Sequence, residues 1–270
     1  MDKSLAILLG KICKYIHKQS EEDLPPLGEH SVQVYDEGGP VPTSVVGIFR
    51  YPDKTVLAYR ATVRDPITTG VMDWLANFSA VVVPAPRLPG LVHLGFWDQL
   101  RSVHGEVLKD LSSGFTPPLY VTGHSQGGAV AALATKLLEQ DGIPVTATYT
   151  FAAPFPGDGL FASSVQTPVF RMEFGDDIVP HVALHGLPLP VEMALKASPE
   201  LKHVFGNIST TIGYVPVGQL TYGAPGEPLR VNVSPADEKK LTLQRLPRLA
   251  VASRNLTAHH ALTYYVGMLS

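Results

Sequence analysis

The pentapeptide Gly123-His124-Ser125-Gln126-Gly127 carries the most specific chemical signal in this chain. It has the form Gly-x-Ser-x-Gly, which places a serine hydroxyl on a sharp turn between a strand and a helix. A β-branched and aromatic run begins at Leu119 and precedes the turn, and an alanine-rich helical stretch follows it as far as Glu139. A serine on such a turn can act as a nucleophile. The alternative is that Ser125 only caps a helix within a glycine-rich turn.

Two neighbouring aspartates follow the turn at the point where an acid is required. A serine nucleophile of this kind is followed along the chain first by an acid and then by a histidine. Asp176 and Asp177 come directly after a predicted strand at 169–174, and α/β sheets carry their working groups beyond the carboxyl ends of the strands. We predict Asp177 as the acid, because Asp176 directly follows Gly175 and better fits the turn. A purely capping role for the pair is the alternative.

Two adjacent histidines near the end of the chain complete the order serine, acid, histidine. We predict His260 as the general base, with His259 as the alternative. The histidines that precede Ser125 stand in the wrong order for this architecture. His181 and His185 have a spacing that can bind a metal on a helix, but glycine and proline interrupt the stretch and no further ligands accompany them. We therefore predict no metal and no organic cofactor.

Length and charge narrow the class of protein. A chain of 270 residues is compatible with a single large α/β domain covering residues 1–270. The formal net charge of −3 gives no reason to expect nucleic acid as a partner, and no apolar run is long enough to predict a transmembrane anchor. The start of the chain predicts an amphipathic helix rather than a clear signal peptide, so the compartment stays open between cytoplasmic and secreted. The oligomeric state is open as well.

The order of predicted elements favours an α/β fold with a mostly parallel sheet and helices on both faces. Strands at 45–51 and 55–60 are predicted to form an early antiparallel hairpin, and strands then alternate with helices. A late hairpin is predicted at 217–222 and 228–233. The polar and basic stretch 236–254 is predicted to be a surface helix and loop.

Several separated blocks of the sequence resemble the class three, fungal-type lipase family of α/β-hydrolases. Together they span roughly residues 45 to 266, and they are more specific than the pentapeptide alone. The blocks are Val56-Leu57-Ala58-Tyr59-Arg60-Ala61-Thr62, Asp73-Trp74-Leu75, His93-Leu94-Gly95-Phe96, Val121 to Gly128, Thr150-Phe151-Ala152-Ala153-Pro154, Asp177-Ile178-Val179-Pro180-His181, and His260-Ala261-Leu262 with Tyr265. The resemblance also favours Asp177 over Asp176, because it matches the segment that holds the family's acid.

The resemblance implies an oxyanion hole and a lid. The oxyanion donors would be the backbone N–H groups of Thr62 and Gln126, with the Thr62 hydroxyl as a further donor. Ala61 stands where the family has glycine and adds a methyl group beside this loop. The lid would be the segment at about 63–80, whose apolar stripe would cover the site in water and turn outward at a lipid surface. The stripe consists of Val71, Trp74, Leu75 and Phe78. Permanent packing of this stripe in the core is the alternative.

The function expected from this set of residues is hydrolysis of carboxylic esters, triacylglycerol or other lipid esters, through an acyl-enzyme on Ser125. The expected partners are an ester or lipid substrate and, transiently, a lipid–water interface. A non-lipolytic carboxylesterase or feruloyl-type esterase is the alternative within enzymes. A serine peptidase is less favoured, because nothing suggests a charged pocket for a peptide side chain. A binding or scaffolding protein on a hydrolase fold is the alternative from another class.

Overall fold

The computed structural model of the protein describes residues 1–18, 28–38, 44–60, 82–177, 179–181, 213–251 and 258–270. Its helices are α1 (Lys3–Lys18), α2 (Leu94–Ser112), α3 (Gln126–Gln140), α4 (Gly159–Ser164), α5 (Pro235–Val251) and α6 (Leu262–Gly267). Its strands are β1 (Ser31–Asp36), β2 (Val45–Tyr51), β3 (Lys54–Tyr59), β4 (Val82–Pro84), β5 (Leu91–His93), β6 (Leu119–His124), β7 (Val145–Phe151), β8 (Gly157–Asp158), β9 (Val169–Phe174), β10 (Tyr214–Val215), β11 (Gln219–Gly223) and β12 (Arg230–Val233). Short 3₁₀ turns occupy Val179–His181 and Ala258–His260. Of these helices, none has the length and apolar character needed to cross a membrane.

The main sheet has a parallel centre and antiparallel edges. Within the described ranges its strand order is β1-β2-β3-β6-β7-β9-β11-β12. The neighbours from β3 to β11 run parallel, whereas β1–β2, β2–β3 and β11–β12 are antiparallel. This arrangement confirms the predicted mostly parallel α/β sheet, including the early and late hairpins. A second, small sheet of order β10-β8-β5-β4 was not predicted, because strands of two or three residues are too short to show a periodic pattern.

Helices cover both faces of the main sheet, and a large apolar cluster lies on each face. On one face α2 and α3 pack against the strands, and α3 is buried on nearly all sides because it lies between the sheet and α2. On the other face α1 packs against β3, β6 and β7 and against α6. The predicted apolar face of α1 is the one that packs inward, with Leu9, Ile12 and Ile16 fully buried. The centre of the parallel sheet is therefore held from both sides, and it carries the serine turn.

Helix α5 corrects one prediction. The sequence predicts a surface helix and loop over 236–254, and the helix does form, but two of its side chains are inside the protein. Leu241 packs against Leu220 and Tyr222 of β11, and Arg245 is only 1% exposed. A polar, basic pattern predicts exposure because an unpaired buried charge is costly. Here the guanidinium of Arg245 has a buried carboxylate partner, Glu173, which the sequence pattern does not reveal.

Candidate active site

Ser125 occupies the sharp turn between strand β6 and helix α3. Its φ of 55° and ψ of −131° lie in a region that residues other than glycine rarely adopt, at a cost on the order of 1–3 kcal/mol. The Ser125 N–H donates to the carbonyl oxygen of Phe151, the last residue of β7, at 2.8 Å. The neighbouring strand thus fixes the strained backbone. The serine is held at the carboxyl end of the parallel strands, where α/β folds place reacting groups.

Glycines on both sides of Ser125 allow strand and helix to approach this closely. A Cβ atom at Gly123 would overlap the carbonyl oxygen of Gly127, and a Cβ atom at Gly127 would overlap the carbonyl oxygen of Tyr59 in β3. Neither obstacle is a flexible side chain, so neither can move aside cheaply. The two glycines of the pentapeptide are therefore required by backbone packing.

Asp177 lies in the turn after β9 and is completely buried. Its Oδ1 accepts the backbone N–H of Val179 at 3.0 Å. Its Oδ2 accepts the Nδ1–H of His260 at 2.9 Å and the hydroxyl of Tyr265 at 2.5 Å. Burial, reinforced by the nearby Asp177 carboxylate, raises the pKa of Tyr265 well above its ordinary value, so its hydroxyl remains a donor. Every partner donates, so both carboxylate oxygens of Asp177 act as hydrogen-bond acceptors.

The ring of His260 is set in one orientation by Asp177. A carboxylate can only accept, so Nδ1 carries the proton and Nε2 of the neutral ring is left as an acceptor. His260 is 1% exposed, and its Nε2 has no hydrogen-bond partner among the described residues. This arrangement, a histidine held by a carboxylate with its second nitrogen unpartnered among the described residues, leaves Nε2 able to accept a proton.

The adjacent His259 is engaged differently. Its Nδ1 accepts the backbone N–H of Asp176 at 2.9 Å, and its ring packs edge-on against Phe174 at a centroid distance of 5.5 Å. A Cβ atom at Gly175 would overlap the His259 ring, and Gly175 has a φ of +53°. His259 therefore supports the turn that carries the acid. Asp177 and His260 meet through the carboxylate and the ring, whereas His259 meets Asp176 through the main-chain N–H.

His124 links the serine turn to His260. The His124 Nε2–H donates to the main-chain carbonyl of His260 at 2.8 Å, and the two ring centroids lie 4.6 Å apart. Burial, with a smaller contribution from His260, lowers the pKa of His124 well below its ordinary value, so His124 is neutral. Ser125 and His260 share no hydrogen bond within the described residues. His124, the chain neighbour of Ser125, nevertheless places both at the same end of the sheet.

Of the residues predicted for the oxyanion hole and the lid, only Gln126 lies within the part of the chain that the structure describes. Gln126 is the first residue of α3, so its N–H has no acceptor within the helix and is available to an oxyanion. Thr62 lies outside the described residues, as do the predicted lid at about 63–80 and its residues Val71, Trp74, Leu75 and Phe78. The oxyanion role of Thr62 and the lid therefore stay predictions.

A buried charged network lies behind the acid, and sequence reasoning missed it. Glu173 of β9 is paired with Arg171, with Arg245 at 2.8 Å and with His181 at 3.0 Å, and Arg171 also reaches Glu238 at 2.5 Å. Burial would raise the pKa of Glu173, but the neighbouring cationic groups outweigh it and hold that pKa well below its ordinary value. The sequence offered one signal of this network. Arg171 and Glu173 stand two residues apart on β9, so their opposite charges lie on the same face of the strand.

Only one histidine of the His181 and His185 pair lies within the described residues, so the prediction that this pair binds no metal stays a prediction. His181 is buried against Glu173, and His185 lies outside the described residues. Within the part of the chain that the structure describes, no group of three or more histidine, cysteine or acidic side chains is arranged to hold a metal ion.

The parallel sheet, its covering helices and the serine turn at its centre define an α/β-hydrolase fold. Residues 56–186, just under half of the chain, match the model of a protein family described as lipase (class 3). The resemblance drawn from the sequence blocks is thereby confirmed.

Individual relatives agree with this family. A secreted mono- and diacylglycerol lipase of Fusarium solani is 36% identical over 120 residues, which make up 42% of this chain and 36% of that protein. A lipase of Rhizomucor miehei is 30% identical over 189 residues, 65% of this chain and 49% of that protein. The chain thus matches less than half the length of these curated relatives. A solved triacylglycerol lipase whose catalytic centre is a serine-protease triad has a TM-score of 0.60 at 18% identity, covering 98% of this chain and 94% of that one, which shows a shared fold.

Proposed function

We propose that this chain is a serine hydrolase that cleaves the carboxylic esters of lipids through an acyl-enzyme. One observation carries the proposal. His260 is held by the buried Asp177, with its Nε2 unpartnered among the described residues, at the end of the sheet where Ser125 sits on its strained turn. A binding protein on a hydrolase fold has no need of a buried acid that orients a histidine in this way.

The proposed reaction has two halves that use the same groups. Ser125 Oγ bonds to the ester carbonyl carbon while its proton passes to His260 Nε2. The carbon–oxygen bond to the alcohol then breaks, and the departing oxygen takes that proton, leaving the acyl group on the serine. Water attacks the acyl-enzyme with His260 again as the base, and the acid is released as Ser125 recovers its proton.

The other residues act on charge that develops during these steps. Asp177 stabilises the imidazolium form of His260 each time the ring holds two protons. The Gln126 N–H, together with Thr62 as the family implies, would donate to the oxyanion of each tetrahedral intermediate. The positive end of the α3 dipole adds to this stabilisation, because Ser125 immediately precedes the helix.

The substrate class follows from the relatives. The relative from Fusarium solani is named as a mono- and diacylglycerol lipase and the one from Rhizomucor miehei as a lipase. We therefore propose acylglycerol esters presented at a lipid–water interface. The comparison that separates this from a non-lipolytic esterase is the rate on emulsified acylglycerol against the rate on a soluble short-chain ester. A rise in rate when the substrate passes its solubility limit supports a lid; a flat or falling rate contradicts the lipolytic assignment.

The decisive experiment replaces the nucleophile. Ser125→Ala is expected to lower kcat for a soluble p-nitrophenyl ester by a factor on the order of 10⁵ or more while leaving the thermal midpoint nearly unaltered. Ser102→Ala is the matched control, because Ser102 lies exposed on α2 and bonds only its own helix at Gln99. A fluorophosphonate probe should label the wild type and the control and leave the Ser125 variant unlabelled. Retained turnover in the Ser125→Ala variant would contradict the proposal.

A further inference from the structure

Arg245 of helix α5 reaches the acid turn, which is the turn after β9 that carries Asp177, although it stands 68 residues after Asp177 in the sequence. Its Nη1 donates to Glu173 Oε2 at 2.8 Å, and its Nη2 donates to the main-chain carbonyl oxygen of Asp177 at 3.2 Å. The guanidinium plane lies over the ring of Tyr222, with Cζ 5.1 Å from the ring centroid. Arg245 thus connects one helix to the strand and the turn that present the acid.

Stability alone is a weak reason for this arrangement. Removing a guanidinium and a carboxylate from water costs several kcal/mol for each ion, and apolar side chains of similar volume usually pack as well or better. Leu241, one turn before Arg245, already anchors α5 on β11 through apolar contact. The buried pair of Arg245 and Glu173 therefore adds something that packing does not.

Arg245 binds the main-chain carbonyl oxygen of Asp177, which no other described residue binds. The Asp177 N–H donates to Phe174 within the same turn at 3.1 Å, and the carboxylate accepts from Val179, His260 and Tyr265. Among the described residues, Arg245 is the partner of its carbonyl oxygen. A shift of about 1 Å in a group that orients the base can cost on the order of a hundredfold in rate.

The charges of this pair also reach the acid–base pair, with opposite signs. In the environment of Tyr265, which donates to Asp177, Glu173 raises the pKa and Arg245 lowers it. An unbalanced cation at this position would oppose formation of the imidazolium at His260. Glu173 offsets that cation, so the network can hold the acid turn without weakening the base.

Other ionisable groups pack around the same place and share its field. On the side of His260 these are Asp177, Tyr265 and His124; behind the acid they are Arg245, Glu173, Arg171, His181 and Glu238; and on the flanking turn they are Asp176 and His259.

We propose that Arg245 is a positioning residue for the hydrolysis, which holds the main chain of Asp177 from helix α5 while Glu173 balances its charge. The inference rests on the proposed function, because it assigns Asp177 and His260 the roles of acid and base. It adds to that function a helix that the serine-to-histidine machinery does not otherwise use.

Three variants separate the geometric role from the charge. Arg245→Met removes both, Arg245→Lys keeps the charge but loses the planar fork, and Glu173→Gln removes the balancing anion. Lys136→Met is the matched control, since Lys136 is also a buried cation that binds a carboxylate, Glu139 at 3.0 Å, and a main-chain carbonyl, Ser164 at 2.8 Å, far from the acid turn in sequence. Each is compared with the wild type by thermal midpoint, kcat, KM and the pH profile of kcat/KM, on folded protein well below its midpoint.

Arg245→Met should lower kcat on the order of ten- to a hundredfold with little change in KM, and Arg245→Lys should recover part of that loss. The acid limb of kcat/KM reports protonation of the base in the free enzyme. Loss of the cation should move this limb to higher pH, and loss of the anion in Glu173→Gln should move it to lower pH, each by on the order of half a pH unit. Lys136→Met should lower the thermal midpoint and leave kcat and the pH limb unchanged.

Equal kcat losses in Arg245→Met and Lys136→Met, with no movement of the limb in either, would overturn the proposal and leave Arg245 a stabilising residue only. If Arg245→Met does not fold, Arg245→Lys and Glu173→Gln decide the matter: wild-type kcat in the first with an unmoved limb in the second overturns the proposal. Failure of the proposed function looks different, because the wild type itself would then neither hydrolyse esters nor react with a fluorophosphonate at Ser125.

Discussion

The two halves of the candidate site are held by different forces. The serine half is fixed by backbone packing: Gly123 and Gly127 let β3, β6 and α3 approach until only hydrogen atoms fit between them. The acid and base half is fixed by side chains, through the hydrogen bonds of Asp177 to His260 and Tyr265 and through the charges behind them. Repulsion between overlapping atoms rises steeply with a small displacement, whereas the energy of hydrogen bonds and ion pairs changes gradually.

This difference predicts how each half should respond to substitution. A change at Gly123 or Gly127 should act mainly on folding, since the obstacle there is backbone that cannot move aside. A change in the acid and base half should act mainly on the rate, since the fold there rests on several contacts that survive the loss of one. Substitutions with a matched neighbour as control test this division.

Among the substitutions that test this division, the largest effect is expected at the acid. Asp177→Asn should lower kcat on the order of 10⁴-fold, because the amide can donate to the histidine and so favour the wrong tautomer, and because it cannot balance the imidazolium. The thermal midpoint should fall far less than the rate. Asp176→Asn is the control: its N–H, which binds His259, is untouched by the change, and kcat should stay near that of the wild type. Comparable losses in both variants would contradict the assignment of the acid to Asp177.

The next effect is expected at the serine turn. It is smaller in free energy than the effect at the acid, and it acts on folding rather than on the rate. Gly123→Ala should lower the free energy of unfolding by roughly 2–3 kcal/mol, because its methyl group overlaps the Gly127 carbonyl. Gly105→Ala is the control, since Gly105 lies within α2 with open space around its Cβ position, and it should raise stability by up to about 1 kcal/mol. Urea unfolding of both variants measures the difference. A Gly123 variant as stable as the wild type would break the comparison between the two halves.

The serine half was predictable from sequence because its determinants are local. Gly123, Ser125 and Gly127 stand within five residues. The strand and the helix that flank them have different sequence patterns, which are easy to recognise. The central sheet was predictable for the same reason, since long β-branched runs alternate with helical ones. Short strands such as β8 and β10 gave no such signal.

The acid and base half was predictable in its residue types but not in its partners. Sequence order left His259 and His260 as alternatives, and only the fold shows that one ring faces Asp177 and the other faces the N–H of Asp176. Arg245 was hidden for a different reason. Its burial depends on Glu173, 72 residues earlier, and a helix rich in charges predicts exposure unless that pairing is known.

The smallest effect is expected at Tyr265, and it tests whether the acid half is as redundant as its contacts suggest. Tyr265→Phe removes one donor from Asp177 Oδ2 and leaves the His260 and Val179 contacts in place. A hydrogen bond to a charged group contributes about 1.5–3 kcal/mol, so kcat should fall roughly tenfold or somewhat more rather than vanish. The acid limb of kcat/KM should also move to higher pH, because a less neutralised carboxylate favours the imidazolium.

Tyr264→Phe is the control for this last change. Tyr264 is 44% exposed and stacks on Phe174 at a centroid distance of 5.5 Å. Unlike its neighbour Tyr265, it makes no hydrogen bond to Asp177 within the described part of the chain. Loss of its hydroxyl should leave both the rate and the pH profile unaltered. A Tyr265 variant that is as inactive as Asp177→Asn would show that the acid is held cooperatively, and the acid half would then be no more tolerant than the serine turn.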